Sequence, residues 1–310
     1  MKLLIVSPWE NRFVTTMRAW FTAHGHDVQW TKQPDPNTFL RWADCVVIGW
    51  ANEHAVALTK LPKLVPTVCY LRSYELMEGG IATQVDWSKI DAQIFVNPWM
   101  QTMAKRLKIP ERNPHVIPNA VDLDAFPLQP HGPGKKLAFV SDISFKKGLE
   151  LLAQVFLALP DDYELHLAGR LYPGCQRTFG SFQHLLKAAK ADQRVFMHGY
   201  QTDIPKFLAD KHYLLCTSPV EGCPNNVLEA MACGVKPVIF NFPGADALFE
   251  PDALFTTVHQ AVEMILHGDY RSNEYREYVV EHHSPAVIYS QLETLLLDLV
   301  KAPQPQEAVA

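Results

Sequence analysis

Two glutamates, Glu221 and Glu229, lie eight residues apart around a short predicted helix. Pro224 stands at the start of this helix and Gly234 just past its end, which are positions that these residue types favour. Short apolar runs with the length of buried strands lie on both sides of the segment, at 213–216 and 237–240. The segment therefore predicts a strand, a loop with one carboxylate, a helix with the second carboxylate, and another strand.

The first turn of the predicted helix has the chemistry of a phosphate site. Its backbone N–H groups lack partners within the helix and carry a partial positive charge. Gly222 has no Cβ and lets the loop backbone approach a ligand closely. Carboxylates repel a phosphate unless they accept hydrogen bonds from hydroxyl groups, and a nucleotide-sugar has hydroxyls on both sides of its diphosphate. The pattern therefore favours a nucleotide-sugar site.

The block from Glu221 to Gly234 resembles the E-x7-E signature of retaining GT-B glycosyltransferases of the glycosyltransferase family 4 type. The resemblance implies that Glu221 orients the sugar through its hydroxyls and that Glu229 holds the ribose. The remaining donor-binding residues that it implies in this block are Gly222, Cys223, Pro224, Asn225, Asn226 and Val227. The competing interpretation is an unrelated α/β protein in which both glutamates are solvated.

A lysine after the predicted strand 136–141 provides a second resemblance. Lys147-Gly148 matches the end of the family's G-R-x-x-x-x-K-G pattern, but Asp142 stands where the arginine is usual. Lys147 is predicted to neutralise the diphosphate, since a lysine carries a point charge on a long stem. The candidates that replace the missing arginine are Arg72, Lys146 and Arg170. By resemblance, the predicted nucleobase loop is His198, Gly199 and Tyr200.

The strand ends of the first half are predicted to face the acceptor. Arg72 follows the predicted strand 67–71, at a position where relatives carry a histidine, and completes the predicted catalytic set with Glu221 and Lys147. Its alternative role is an ion pair with Glu75 or Glu78. The loop 7–12 contains no glycine, and Trp9 either faces the acceptor or packs on its own domain. The predicted acceptor-side residues are Trp9, Glu10, Asn11, Tyr74 and Glu75.

The alternation of apolar strands with amphipathic helices predicts two doubly wound parallel sheets. With the resemblance, this implies the GT-B fold, in which two Rossmann-like domains face each other across a cleft. The predicted boundaries are 1–127 for the acceptor domain, 135–283 for the donor domain, 284–301 for a last helix that returns to the first domain, and 302–310 for a disordered tail.

The composition of the chain excludes several classes of protein. The chain has 310 residues and a net charge of −5, so it is long enough for two domains and shows no basic excess typical of nucleic-acid binding. Its six cysteines include no C-x-x-C pair and predict small core residues in a reducing compartment. No apolar run reaches the roughly 20 residues of a membrane span. We expect a cytoplasmic protein without integral membrane association, and a location peripheral to a membrane is the alternative.

The resemblance implies sugar transfer from a UDP- or GDP-linked donor to an acceptor hydroxyl, with retention and with neither a metal ion nor another cofactor. No histidine in the chain has metal-ligand spacing. A glycan, a glycolipid or a small molecule is the expected acceptor, and a protein or modified nucleic acid is a further alternative. The second hypothesis is a GT-B scaffold that binds a nucleotide or glycan without catalysis, and the third is epimerisation or phosphorolysis.

Overall fold

The computed structural model describes residues 1–33, 35, 40–77 and 80–302. The chain divides into two compact units. Unit 1 is Met1–Ala120 together with the chain from His283 onward, and unit 2 is Val121–His282. All but the first residue of the predicted tail, 302–310, lies outside the described residues.

Unit 1 is built on a parallel sheet of six strands in the order β2-β1-β3-β4-β5-β6. Its strands are β1 Lys2–Val6, β2 Asp27–Thr31, β3 Cys45–Ile48, β4 Thr67–Leu71, β5 Ala92–Phe95 and β6 Pro114–Val116. Its helices are α1 Arg12–Ala23, α2 Glu53–Thr59, α3 Tyr74–Met77, α4 Pro98–Arg106 and α11 Pro285–Lys301. Every residue of β3, β4 and β5 is buried, because helices cover both faces of a doubly wound sheet.

The last helix, α11, belongs to unit 1, which confirms the predicted return of the chain. Its Tyr289 ring lies against the rings of Trp20 and Phe21 on α1, at centroid distances of 5.8 Å and 6.1 Å. Glu293 adds a polar contact, since its carboxylate lies 2.5 Å from Nε2 of His26. The apolar stripe of α11 is thus buried against the first helix of the chain.

Unit 2 repeats the architecture with the strand order β12-β11-β10-β7-β8-β9, again all parallel. Its strands are β7 Lys136–Val140, β8 Glu164–Ala168, β9 Val195–Met197, β10 Tyr213–Cys216, β11 Lys236–Phe240 and β12 Leu254–Phe255. Its helices are α5 Leu149–Leu157, α6 Gln176–Ala188, α7 Ile204–Leu208, α8 Asn225–Ala232, α9 Val258–Leu266 and α10 Ser272–His283.

Each sheet has one point at which the strand order reverses. In unit 1 the chain runs outward from β1 to β2 and then returns to β3 on the other side of β1; in unit 2 it runs from β7 through β9 and returns to β10 beside β7. The chain therefore leaves β1 and β3, or β7 and β10, in opposite directions along the sheet. Open α/β sheets bind ligands in the crevice at the carboxyl edge of such a point.

All six cysteines are buried and free, which confirms their prediction as core residues. Burial raises the pKa of the Cys216 thiol, next to the carboxylate of Glu221, to about 12. The Cys216 thiol therefore does not have the character of a reactive thiolate at neutral pH.

Candidate functional site

The crevice of unit 2 is formed by two loops whose backbones touch. Gly148 has a φ of +63°, and a Cβ at this position would lie 2.0 Å from the carbonyl oxygen of Thr217. The Thr217 hydroxyl also donates a 2.9 Å hydrogen bond to the carbonyl oxygen of Lys147. Only glycine combines this backbone conformation with so close an approach. The loop after β7 is therefore fixed against the loop after β10.

This contact brings together the two charged residues that were predicted for the donor. Nζ of Lys147 lies 2.5 Å from Oε1 of Glu221, and 25% and 14% of their side-chain surfaces are exposed. Burial alone would lower the pKa of Lys147, but the Glu221 carboxylate outweighs it and holds this pKa above its ordinary value. At neutral pH the crevice therefore contains a charged ammonium beside the carboxylate.

Helix α8 begins beside the same crevice. The Asn226 side-chain amide donates a 2.9 Å hydrogen bond to the carbonyl oxygen of Val140, the last residue of β7. Pro224, at the N-cap, forms no side-chain cap. Glu229 lies on the following turn of α8 and is only 8% exposed. The first turn, which includes Asn225 and Val227, thus points at the carboxyl end of β7, and the buried residues Gly222 and Cys223 precede it.

Arg170 and Tyr200 form a second polar group at the carboxyl ends of β8 and β9. The guanidinium of Arg170 lies 3.9 Å from the centroid of the Tyr200 ring, which is 56% exposed. Asp142 is close by, because its Oδ1 accepts a hydrogen bond of 3.3 Å from the backbone amide of Arg170. The aspartate that occupies the usual arginine position thus shapes the loop that carries Arg170.

The other residues of the predicted nucleobase loop make contacts within the sheet. Nε2 of His198 lies 3.0 Å from Nδ1 of His166, whose second nitrogen faces Glu164. Burial lowers the pKa of both histidines. Gly199 has a φ of +66°, and its carbonyl oxygen accepts the amide proton of Gly169. The His198 ring is therefore fixed by its contact with His166, whereas the Tyr200 ring is exposed to solvent.

Lys146, the third candidate for the missing arginine, lies near the ring of the neighbouring Phe145. Its Nζ is 6.0 Å from the centroid of the Phe145 ring, which is 61% exposed. The adjacent Lys147, rather than Lys146, carries the contact with Glu221.

In unit 1 the predicted site cation, Arg72, is an interior residue with 7% exposure. Its Nε donates a 2.9 Å hydrogen bond to the carbonyl oxygen of Gly49, and its Nη1 donates to Oδ1 of Asn119. The guanidinium lies 3.6 Å from the centroid of the Phe13 ring and 4.7 Å from that of Trp50. These contacts anchor the loop after β4 to the carboxyl end of β3.

Two of the predicted acceptor-side residues are used to build their own loops. The carboxylate of Glu75 is fully buried and accepts hydrogen bonds from the backbone amides of Arg72 and Ser73. Burial raises its pKa. The Asn11 side chain caps α1 by accepting from the Val14 amide at 3.3 Å. The alternative partner of Arg72, Glu78, lies outside the described residues.

The other three acceptor-side residues reach the surface. Trp9 is 56% exposed and lies edge-on to Trp50 at 5.9 Å. Glu10 forms an ion pair with Arg18. The Tyr74 hydroxyl accepts a 3.1 Å hydrogen bond from the Asn52 side-chain amide. Sequence reasoning missed Trp50, Asn52 and Asn119, although each follows a strand or an apolar run in the sequence and this position was an available signal.

A cavity of about 650 Å3 lies elsewhere in unit 2. It is lined by Lys236 and Pro237, at the amino end of β11, and by residues of α10 that include Tyr275 and Glu281. None of the described donor-site candidates lines this cavity. We place the candidate site in the crevice instead, because charged groups of both signs and a helix N-terminus converge there.

Two further features are absent from the described residues. In 1–33, 35, 40–77 and 80–302, no three histidine, cysteine, aspartate or glutamate side chains lie close enough to hold a metal ion. Over the same part of the chain, no helix combines the length and the apolar character that crossing a membrane requires.

Comparison with known proteins relates the crevice to a family of enzymes. Residues 122–266, which include Lys147, Glu221 and Glu229, match the family described as glycosyl transferases group 1. No curated protein sequence matches the chain.

Several solved structures resemble the whole chain. A glycosyltransferase from Rickettsia africae has a TM-score of 0.78 and 13% identity, over 97% of this chain and 99% of that one. Sucrose-phosphate synthase from Thermosynechococcus elongatus has a TM-score of 0.78 and 15% identity, over 98% and 100%. HepE of Anabaena, in complex with UDP and glucose, has a TM-score of 0.76 and 16% identity, over 96% and 100%. The predicted GT-B fold of two Rossmann-like units is thereby confirmed, and most of unit 2 matches the glycosyl transferases group 1 family.

Proposed function

We propose that this protein is a glycosyltransferase that moves a sugar from a nucleotide-diphosphate sugar to an acceptor hydroxyl. The observation that carries the proposal is the position of Lys147, Glu221 and the first turn of α8 at one reversal point of a parallel sheet. Together they offer a cation, hydrogen-bond donors and a carboxylate within one crevice. A diphosphate with hydroxyl-bearing groups on both sides requires this combination.

In the proposed reaction the bond between the anomeric carbon and the diphosphate breaks, and a bond from the acceptor oxygen to the same carbon forms. The leaving phosphate gains negative charge as this happens. Lys147 and the N-terminus of α8 stabilise that charge because they are fixed in place before the reaction. Glu221 orients the sugar through its hydroxyls, and Glu229 binds the ribose. We expect no requirement for a metal ion.

We further propose retention of the anomeric configuration, with the leaving phosphate accepting the proton of the acceptor hydroxyl. This balances the reaction: the acceptor loses a proton, the nucleoside diphosphate gains it, and no covalent enzyme intermediate is needed. The match of 122–266 to a glycosyltransferase family and the family resemblance of the Glu221–Gly234 block support the proposal.

The donor base is proposed to lie against the loop of Gly199 and Tyr200, with Arg170 beside it. A UDP-linked donor is favoured by likeness to the HepE complex with UDP and glucose, and a GDP-linked donor is the alternative. The acceptor is proposed to bind unit 1 at the exposed residues Trp9 and Glu10 and at the half-buried Tyr74. A glycan, a glycolipid or a small molecule suits this mixture of aromatic and polar groups.

A thermal-shift panel of nucleoside diphosphates and their sugars on wild type and Glu229→Gln tests the donor site. A ligand at 100 times its dissociation constant adds about 2.7 kcal/mol to stability, which raises the melting temperature clearly. We expect one base to stabilise the wild type and the variant to lose most of that shift. Lys147→Ala or Glu221→Ala should lower the transfer rate by about two to three orders of magnitude.

The scaffold hypothesis also predicts binding in this panel, but it predicts no turnover of the donor. It is favoured by Asp142, a carboxylate at the usual arginine position, whose Oδ1 accepts the Arg170 amide and which brings no cation to the site. A scaffold binds the nucleotide or a glycan, yet it hydrolyses no donor during prolonged incubation. Binding without detectable hydrolysis or transfer would support the scaffold, and absence of any nucleotide binding would refute the proposed donor site.

A further inference from the structure

We propose that Glu221 competes with the donor's diphosphate for Lys147, and that this competition makes the protein favour the nucleotide-sugar over the nucleoside diphosphate product. The inference rests on the proposed function, because it takes the diphosphate of the donor to be the ligand of Lys147. It adds a role for Glu221 after the transfer step, in the release of the product.

Lys147 and Glu221 form a close ion pair in the structure. Lys147 Nζ and Glu221 Oε1 are 2.5 Å apart, within the reach of a charge-assisted hydrogen bond. Both side chains are largely but not fully removed from solvent. A charged contact of this kind is stronger than one on an open surface, because water screens it less. A phosphate that approaches Lys147 must therefore share the ammonium with Glu221 or displace it.

Close backbone contacts hold together the two loops that carry Lys147 and Glu221. Gly148 lies against the Thr217 carbonyl, and the Thr217 hydroxyl holds the carbonyl of Lys147. Only three residues separate Thr217 from Glu221, and Gly222 and Cys223 after Glu221 are buried. The ion pair therefore breaks by side-chain rotation alone, and it forms again whenever neither side chain has a better partner.

The nucleotide-sugar donor and the nucleoside diphosphate product differ in the hydrogen bonds that they can donate to Glu221. The sugar of the donor presents hydroxyl groups that donate hydrogen bonds to the carboxylate, and this draws Glu221 from Lys147 and leaves the ammonium to the diphosphate. After transfer the sugar is gone, and Lys147 is again the partner that Glu221 has in this crevice. The diphosphate then loses part of its cation, so the product binds more weakly than the donor.

Isothermal titration of wild type, Glu221→Gln and Asp142→Asn with UDP, GDP, UDP-glucose and GDP-mannose tests this inference. The glutamine retains the size of the side chain and removes the charge. We expect Glu221→Gln to bind the accepted nucleoside diphosphate about three- to tenfold more tightly than wild type, since Lys147 is released. The same variant should bind the nucleotide-sugar more weakly, because a neutral amide is a poorer acceptor for sugar hydroxyls.

Asp142→Asn is the matched control. Asp142 also raises the pKa of Lys147 through its charge, but its side chain accepts the amide of Arg170 and does not pair with the ammonium. The control removes one negative charge from the same region, and we expect a change in nucleoside diphosphate affinity of less than about twofold. If the two variants tighten binding equally, the effect is general electrostatics and the inference is wrong.

The remaining outcomes are also decisive. Nucleoside diphosphate binding that is unchanged or weaker in Glu221→Gln, with wild-type binding intact, overturns the competition but leaves the donor site standing. Wild type that binds none of the four ligands refutes the proposed function itself. If Glu221→Gln does not fold, Glu221→Asp replaces it, because the shorter carboxylate cannot reach Lys147 in the same way and should tighten nucleoside diphosphate binding in the same direction.

Discussion

Each unit has a charged residue after a strand of its parallel sheet, Arg72 after β4 and Lys147 after β7, and the two are used differently. Arg72 of unit 1 is 7% exposed and donates to Gly49 and Asn119 inside the unit. Lys147 of unit 2 retains 25% of its side-chain surface and lies beside another partly exposed charge, Glu221. A charge at the end of a parallel strand is thus not a site by its position alone. Burial and partners decide whether it supports a loop or remains available to a ligand.

The two units also differ in how the loops at the reversal point of the strand order are held together. In unit 2 the loops after β7 and β10 meet at Gly148 and Thr217. In unit 1 a Cβ on Gly49 would find its nearest neighbours at 3.5 Å, an ordinary contact distance, and Gly49 does not have a positive φ. Unit 1 instead fills the space between its loops with the guanidinium of Arg72 and the rings of Phe13 and Trp50. One unit fixes its crevice with backbone, and the other with side chains.

The largest expected effect separates a structural cation from a site cation. Arg72→Met should lower the free energy of unfolding of unit 1 by about 3 kcal/mol, because the carbonyl oxygen of Gly49 and Oδ1 of Asn119 lose a buried donor. Lys147→Met should lower the free energy of unfolding of unit 2 by less, about 1 kcal/mol, because the Glu221 carboxylate that it leaves unpaired is 14% exposed and can be hydrated. Urea denaturation of both variants measures the difference.

The chain provides a separate optical signal for each part of this experiment. All seven tryptophans lie between Trp9 and Trp99, in unit 1, so tryptophan fluorescence follows the unfolding of unit 1. Circular dichroism follows the helices of both units. A fluorescence midpoint that Arg72→Met leaves unchanged would show that the interior role assigned to Arg72 is wrong, and a large loss of stability in Lys147→Met would make the two units alike.

The next effect tests the backbone contact that fixes the crevice of unit 2. Gly148→Ala places a Cβ 2.0 Å from the Thr217 carbonyl oxygen, whereas Gly174→Ala has a similar positive φ and nothing within 4 Å. Both variants carry the cost of a left-handed alanine, so their difference isolates the close approach. We expect Gly148→Ala to be less stable than Gly174→Ala by about 2 kcal/mol in urea denaturation followed by circular dichroism. Equal stabilities would indicate that the two loops are not held together.

The smallest effect concerns a buried cation that has neither role. Lys236, at the amino end of β11, is 5% exposed and donates to the Met264 carbonyl oxygen, and burial lowers its pKa from 10.5 to about 8. Between about pH 8 and pH 10.5 the unfolded chain therefore holds a proton that the folded chain has released. Stability rises with pH wherever the unfolded state binds more protons.

Lys236→Met removes this contribution. Between pH 7.5 and pH 9.0 we expect the free energy of unfolding of wild type to increase by about 1 kcal/mol relative to that of the variant. Urea titrations of both proteins at the two pH values, followed by circular dichroism, measure this difference. Parallel pH profiles would mean that Lys236 keeps an ordinary pKa in the folded protein.

The Glu221–Gly234 block shows how far sequence reasoning extends. Its strand, loop and helix are observed where they were predicted, because the apolar runs, Pro224 and Gly234 are local signals that need no distant partner. The same holds for the two parallel sheets and for the buried cysteines. The sequence also places Lys147 and Glu221 at strand ends, but it contains no information on the distance between two residues 74 positions apart.

That distance was decided by the strand order, which sets β7 beside β10, and by the approach of Gly148 to Thr217. The tertiary structure also decided the burial and the hydrogen-bond partners of Arg72. Its sequence context, a charged residue after an apolar strand, is the same as that of a site residue. Only the packing of Phe13, Trp50 and Asn119 around it, from three other parts of the chain, makes it an interior residue. Local pattern determines elements, whereas burial and pairing depend on contacts that no single segment contains.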